Sequence, residues 1–242
     1  MRKAAIIVLS VLLIATVVIG LKLYRENDDD TAEYNRMISY FSEIKPDTAE
    51  QNDYLAEIRK INPDIAAWIT IPDTDIDFPI VQCDDNEYYL SHDIEKNESY
   101  MGVPFLDYRN SGDFSDFNSI IYGHNIKNGQ MFAGLTYFKQ SDYFNSHTYG
   151  ILTLADGMYR IEFIACDVLE SDGFAYNVVF LSDKERKVFL KNIREKAVQI
   201  RDFSDDDLLD ANLCTFSTCS YEFNDARTIL IGYISEKIDK AD

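Results

Sequence analysis

Apolar positions show three textures along the chain. The first is an unbroken run from Ala4 to Leu21 with no charge. At roughly 1.5 Å per residue, a helix of that length just spans a hydrocarbon layer of roughly 30 Å. Leu23 and Tyr24 extend it past Lys22, whose long stem can snorkel. A cleaved signal peptide and a buried helix are the competing readings. The run is long for a signal peptide and no A-x-A-like site follows it cleanly, which favours an uncleaved anchor. The second texture has helical spacing. Tyr34, Met37, Ile38 and Phe41 recur on one face within residues 31–44. Asp47 and Glu50 form a capping box for a second helix, with Leu55, Ile58 and Ile61 on one side, until Asn62-Pro63 stops it. Ser182 to Gln199 is predicted to be a longer helix, capped by Ser182 and Glu185, with Val188, Phe189, Ile193 and Ala197 on its apolar side.

The third texture is short strands. It begins at Ala67 with Trp68, Ile69 and Ile71, followed by Ile76, Phe78, Ile80 and Val81 beyond Pro72-Asp73. Met101 to Leu106 and Ser119 to Tyr122 read as further strands, and Gln130 to Phe138 as a short helix. Tyr149 to Leu154 and Met158 to Cys166 flank Ala155-Asp156-Gly157, a hairpin turn. Residues 167–181 lack a period and read as a surface loop. Asn212 to Thr218 and Thr228 to Ile234 are predicted as two closing strands. Many short strands with few helices predict a closed or half-closed barrel. Asp205-Asp206-Asp207 suits a helix start, where carboxylates meet the positive end of the dipole, and lacks the spacing of a calcium loop.

Charge divides the chain in the same place as the hydrophobic pattern. The 242 residues carry 23 Lys+Arg and 42 Asp+Glu, a formal net charge of −19. Arg2, Lys3, Lys22 and Arg25 lie in residues 1–25 with no acidic residue, so the whole acidic excess lies beyond them. This excess argues against a nucleic-acid partner, since a phosphate backbone needs a basic surface. Basic residues flank the apolar run almost evenly, so they orient it weakly. An acidic folded bulk after a signal-anchor segment favours the N terminus inside and the rest outside the cytoplasmic membrane. The expected organisation is an anchor over 1–25, a juxtamembrane and helical stretch over 26–62, and one β-barrel domain over 63–242.

Candidate chemistry is sparse. Four cysteines are too few and too irregularly placed for a disulfide scaffold or a structural zinc site. Cys166 lies in an apolar strand. Cys214 is five residues before Cys219, on the opposite face of a regular strand. Cys219 ends an apolar strand, and Arg227 opens the next, so a hairpin would bring the two side by side. A thiol attacks as the thiolate, which a neighbouring imidazolium or guanidinium favours. Arginine cannot serve as a base, but it can hold substrate or a developing oxyanion. Among His92, His124 and His147, only His124 follows a strand end and a glycine into a polar loop, a good position for a base. Context alone leaves Cys219 open between a nucleophile and an inert thiol.

Ordered motifs favour the nucleophile. Leu213–Arg227, LCTFSTCSYEFNDAR, resembles the signature of the sortases: a strand ending in Thr-x-x-Thr-Cys, a short loop, then Arg. Ile121–Asn125, IYGHN, resembles the segment of their catalytic histidine. Asn62-Pro63-Asp64 to Trp68-Ile69, Ile76–Gln82, Asp85–Leu90, Gly102–Asp107 and Lys127–Leu135 resemble class B members from Gram-positive bacteria, over residues of about 50 to 234. Two departures stand out: Cys83 where glycine is common, and a short loop between Cys219 and Arg227.

The resemblance implies an eight-stranded sortase β-barrel with N-terminal helices and one long helix inserted before the strand leading to the catalytic-cysteine strand. It implies a membrane-anchored, single-pass cysteine transpeptidase with an extracellular catalytic domain; no cofactor or metal is expected, since the sequence shows no calcium-loop pattern and no zinc site. Cys219 would attack the Thr carbonyl of a sorting motif resembling Asn-Pro-x-Thr-Asn, His124 would exchange protons, and Arg227 would hold the oxyanion. Asn86, Tyr122, Tyr176 and Ser217 would contact substrate. The partners implied are surface proteins bearing the motif, and a peptidoglycan amine or pilin lysine as acceptor. Glu222 and Asp225 either orient His124 or Arg227 or are simply solvated. A non-enzymatic adaptor for wall or pilus proteins and a purely hydrolytic cysteine peptidase are the alternatives.

Overall fold

The computed structural model describes residues 15–17, 19, 20, 22, 31–45, 55–126 and 129–238. The chain forms two compact units, Met1–Glu43 and Ile44–Asp242. Residues 31–44 form helix α1, where the spacing predicts one. The expected membrane run lies largely outside the described residues. Among those described, no helix is long and apolar enough to cross a membrane. The start of the second expected helix, 46–54, also lies outside them. From Leu55 the chain makes a turn and a 3-10 helix, Ile58–Lys60, in place of a regular α-helix.

The larger unit is built on one curled sheet. Its strands are β1 Ile65–Thr70, β2 Asp77–Val81, β3 Phe105–Leu106, β4 Asn118–Tyr122, β5 Tyr149–Leu154, β6 Gly157–Glu170, β7 Gln199–Ile200, β8 Leu213–Cys219 and β9 Ala226–Ile238. They run in the order β5-β1-β2-β3-β4-β8-β9-β6-β7, and pairing of β5 with β6 closes the ring. The result is an eight-stranded barrel, with β7 as a short extra edge on β6. Closure leaves the ring strands without a free edge. Parallel pairing occurs between β2 and β3 and between β4 and β8, and the other neighbours are antiparallel.

Both faces of the β6–β9–β8 wall are covered, which explains its nearly unbroken apolar runs. Inside the barrel, Phe132 packs edge-on to Phe216 with centroids 6.2 Å apart, and Phe163 lies 6.2 Å from Phe216. Outside, helix α3 (Asp183–Lys196) lays Phe189, Leu190 and Ile193 over Ile164, Ala165, Leu169, Ile229 and Ile231. The Ser182 hydroxyl accepts the Glu185 N–H as the predicted cap. This is the long helix expected ahead of the cysteine strand.

Further elements depart from the sequence reading. The long helix, expected to reach Gln199, ends at Lys196, and Gln199 enters β7. The strand expected over Met101–Leu106 keeps only Phe105 and Leu106. Gly102 turns the chain at φ +58°, and Pro104 lacks a donor for the ladder. Strand β6 continues to Glu170, so the loop begins four residues later than Asp167 suggested, because Asp167 is buried within the strand. The segment Phe132–Lys139 is a 3-10 helix, followed by a separate helix α2 (Ser141–Ser146). The predicted helix start at Asp205 is α4 (Asp205–Leu208).

Candidate active site

The three reactive candidates sit on neighbouring strands at one end of the barrel. Cys219 closes β8 and pairs directly with Arg227 on β9. On the other side of β8, parallel pairing with β4 runs to Tyr122 opposite Ser217. The next two residues on each strand are Gly123-His124 and Thr218-Cys219. Gly123 N–H donates to Ser217 O at 3.0 Å, and Thr218 Oγ1 donates to Gly123 O at 2.8 Å. Asn125 then reaches across, its Nδ2 donating to Cys219 O at 2.6 Å. Side chains alternate along a strand, so Tyr122 and His124 share a face, as do Ser217 and Cys219.

That face lines a cleft of about 860 Å³. All seven residues singled out in the sequence line it: Cys219, His124, Arg227, Asn86, Tyr122, Tyr176 and Ser217. Tyr176 comes from the 3-10 turn Phe174–Tyr176 in the loop after β6, and its hydroxyl lies 2.8 Å from Ser217 Oγ. Its ring stacks on Tyr122 at 6.2 Å with 4° between planes. Buried Asn118 holds this loop, donating through Nδ2 to Ala175 O and Asn177 O, both at 2.9 Å. Burial pushes the Tyr122 and Tyr176 hydroxyls above the usual tyrosine range, with Asp107 adding to the rise at Tyr122. Both therefore face the cleft as neutral phenols.

The residue organising the cleft floor escaped the sequence reading. Asp107 is fully buried and accepts from Tyr122 Oη at 2.8 Å, Asn86 Nδ2 at 3.0 Å, and Arg109 Nε and Nη2 at 2.8 and 2.7 Å. Burial alone would raise this carboxyl, but the hydrogen bonds led by Arg109 outweigh it and hold the group below its ordinary value. Arg109 in turn is held protonated by Asp107. Next to the turn after β3, an Asp-x-Arg pair reads in sequence as ordinary solvated charge, and nothing there signals a hub.

The remaining candidates are structural. His92 stacks on Tyr88 with centroids 3.9 Å apart and places Nδ1 2.8 Å from Tyr88 O. His147 repeats this on Tyr143, with Nδ1 2.9 Å from Tyr143 O. All four cysteines are free. Burial drives the Cys166 thiol up to about 12, and Cys214 is also raised. Glu222 pairs with Lys139 and so anchors the β8–β9 loop. Asp225 occupies a tight turn at φ +60°.

Gly123 has a steric role. A Cβ there would lie 2.5 Å from Phe132 Cδ2 inside the barrel. Gly123→Ala should cost about 1–3 kcal/mol through overpacking and displace the adjoining His124. Thermal melts beside transfer assays check this; unchanged stability together with unchanged turnover would refute it.

No family model matches the chain. Known relatives do. A sortase B of Listeria monocytogenes is 32% identical over 179 residues, covering 72% of this chain and 70% of that one. A sortase B of Staphylococcus aureus is 25% identical over 241 residues, covering 97% and 98%. Among solved structures, a Streptococcus pyogenes class B sortase involved in pilus biogenesis is 33% identical with a TM-score of 0.67, covering 75% of this chain and 97% of that one. The barrel, the cleft and these likenesses agree: the chain belongs to the sortase B family of cysteine transpeptidases.

Proposed function

We propose that this transpeptidase cleaves a sorting motif resembling Asn-Pro-x-Thr-Asn after Thr and passes the acyl group to an amine. The carrying observation is the cross-strand register of Cys219 with Arg227, beside His124, in one cleft. In this reading Cys219 gives its proton to His124, and its sulfur attacks the Thr carbonyl carbon. The carbonyl π electrons move onto oxygen, where the Arg227 guanidinium stabilises them. Collapse breaks the C–N bond, and His124 protonates the leaving amine. The thioacyl enzyme is then attacked by an acceptor amine, whose proton passes to His124 as the C–S bond breaks.

Asn86, Tyr122, Tyr176 and Ser217 would position the motif, since all four line the cleft and the two phenols form a stacked wall. The proposed partners are surface proteins bearing the motif and a peptidoglycan amine or pilin lysine. Residues 1–25 would anchor the chain in the cytoplasmic membrane with 63–242 outside, joined through 26–62. The place of the apolar run ahead of the folded bulk, as in a signal anchor, supports that orientation.

Mass spectrometry of products from a peptide library varied around Thr, with and without added amines, tests the reading. Cleavage after Thr with amine-dependent products is expected. Hydrolysis products alone, unchanged by any amine, would defeat it. Arg227→Lys keeps the charge but loses the planar fork, so kcat/KM should fall about tenfold to a hundredfold. Steady-state kinetics showing no loss would remove Arg227 from the oxyanion role.

A further inference from the structure

The backbone contact of His124 distinguishes its two nitrogens. Nε2 lies 2.8 Å from the carbonyl oxygen of Leu90. A carbonyl oxygen can only accept, so Nε2 carries the hydrogen. In the neutral ring this leaves the lone pair on Nδ1. In the imidazolium it leaves Nδ1–H as the proton not committed to the backbone. Among the described residues no carboxylate hydrogen-bonds His124: Glu222 is held by Lys139, and Asp107 by Arg109, Tyr122 and Asn86.

We propose that the Leu90 carbonyl is the orienting partner of the His124 imidazole, and that Nδ1 is the atom exchanging protons with Cys219 and the two amines. This rests on the reading of His124 as the acid–base group. The Cys219 S–H proton moves to the Nδ1 lone pair, giving an imidazolium whose Nε2–H stays on Leu90 O. When the C–N bond breaks, the Nδ1 proton goes to the departing nitrogen and the lone pair returns. The acceptor amine repeats the cycle in reverse as the C–S bond breaks.

The Leu90 carbonyl can act this way because its turn is rigid. Leu90 ends the 3-10 turn Tyr88–Leu90, with its N–H on Glu87 O at 3.1 Å. Tyr89, only 1% exposed, ties that turn to the barrel entrance: Asn62 Nδ2 donates to its hydroxyl at 2.8 Å, and the hydroxyl donates to Asp64 Oδ2 at 2.7 Å. Gly102 lies against the far side at φ +58°. A Cβ on Gly102 would sit 2.4 Å from Tyr89 O and 3.1 Å from Leu90 O. Gly102 thus lets the chain pack onto the very carbonyl that His124 uses. Leu90 and Gly102 are positioning residues and touch no reacting atom in this scheme.

Nitrogen-15 NMR of the full chain in detergent, labelled at histidine and held where the rings are neutral, tests the proposal. His124→Gln assigns the His124 signals by their loss. The structure supplies an internal contrast, because His92 and His147 place Nδ1, not Nε2, on a backbone carbonyl. His124 is expected as the Nε2–H tautomer and the other two as Nδ1–H. A His124 signal of the Nδ1–H form, or of an even mixture, would overturn the proposal. Gly102→Ala should erode the His124 tautomer preference and lower kcat about tenfold, with a smaller change in KM. A folded Gly102→Ala chain with an altered tautomer and full kcat would also overturn it. If that variant does not fold, the wild-type spectrum decides alone. Lack of any transfer by the wild type would instead defeat the acid–base reading of His124, while the tautomer result still stands on its own.

Discussion

Cys219→Ala should lower cleavage and transfer on the order of 10⁴-fold or more, since Cys219 is the thiol among the residues lining the cleft and the hydroxyls beside it are far weaker nucleophiles. The wild type given a Thr-containing peptide without amine should gain the mass of the acyl fragment, and the variant should not. Folding should be preserved: Cys219 is half-buried at a strand end, and losing its sulfur opens no sealed cavity. Peptide binding should also survive, because Asn86, Tyr122, Tyr176 and Ser217 keep their contacts. The other thiols give the comparison. Cys166 and Cys214 are fully buried with raised thiol pKa values, and Cys83, raised chiefly by burial, lies outside the cleft lining. Cys83→Ala should therefore leave turnover unchanged. Persistent acyl-enzyme formation in Cys219→Ala would sink the nucleophile assignment.

What the sequence revealed follows physical lines. Strands β8 and β9 were legible because long apolar runs ended in isolated reactive residues, and the hairpin placed Cys219 against Arg227 as adjacency alone required. The neighbouring position of His124 was not derivable from spacing. It depends on β4 lying parallel to β8, a pairing 95 residues apart in sequence between Gly123 and Thr218, and only the family resemblance anticipated it. The stretch from Asp167 misled because polar and aromatic residues mix there without a period. Asp167 is nonetheless buried within β6, and that burial raises its carboxyl to about 6. Backbone partners were invisible for a different reason. The carbonyls of Leu90 and Cys219 belong to no residue type, so no composition or motif can mark them.

Asp107→Asn should damage both the fold and the cleft. The change keeps the volume but replaces one acceptor oxygen with an N–H₂ donor, facing a guanidinium and two other donors. Arg109, Tyr122 and Asn86 would then compete for one oxygen. The expected loss is about 2–4 kcal/mol, moderated because Arg109 can recover hydration in water. In a domain of this size that lowers Tm by roughly 5–15 °C. The pH dependence should change with it. The native carboxyl lies below its unfolded value, so its stabilisation is complete above the unfolded pKa of about 3.9 and fades as pH falls through the lower folded value. The Asn variant has no such group, so the stability gap between the two proteins should be largest near neutrality and shrink in acid. Kinetically, Tyr122 and Asn86 would lose their fixed positions while Cys219 and Arg227 keep their strand register, so KM should rise more than kcat falls. Denaturant melts at several pH values, paired with steady-state kinetics, decide this. A stability gap that is flat with pH, or a loss confined to kcat, would show that Asp107 does not organise the cleft lining.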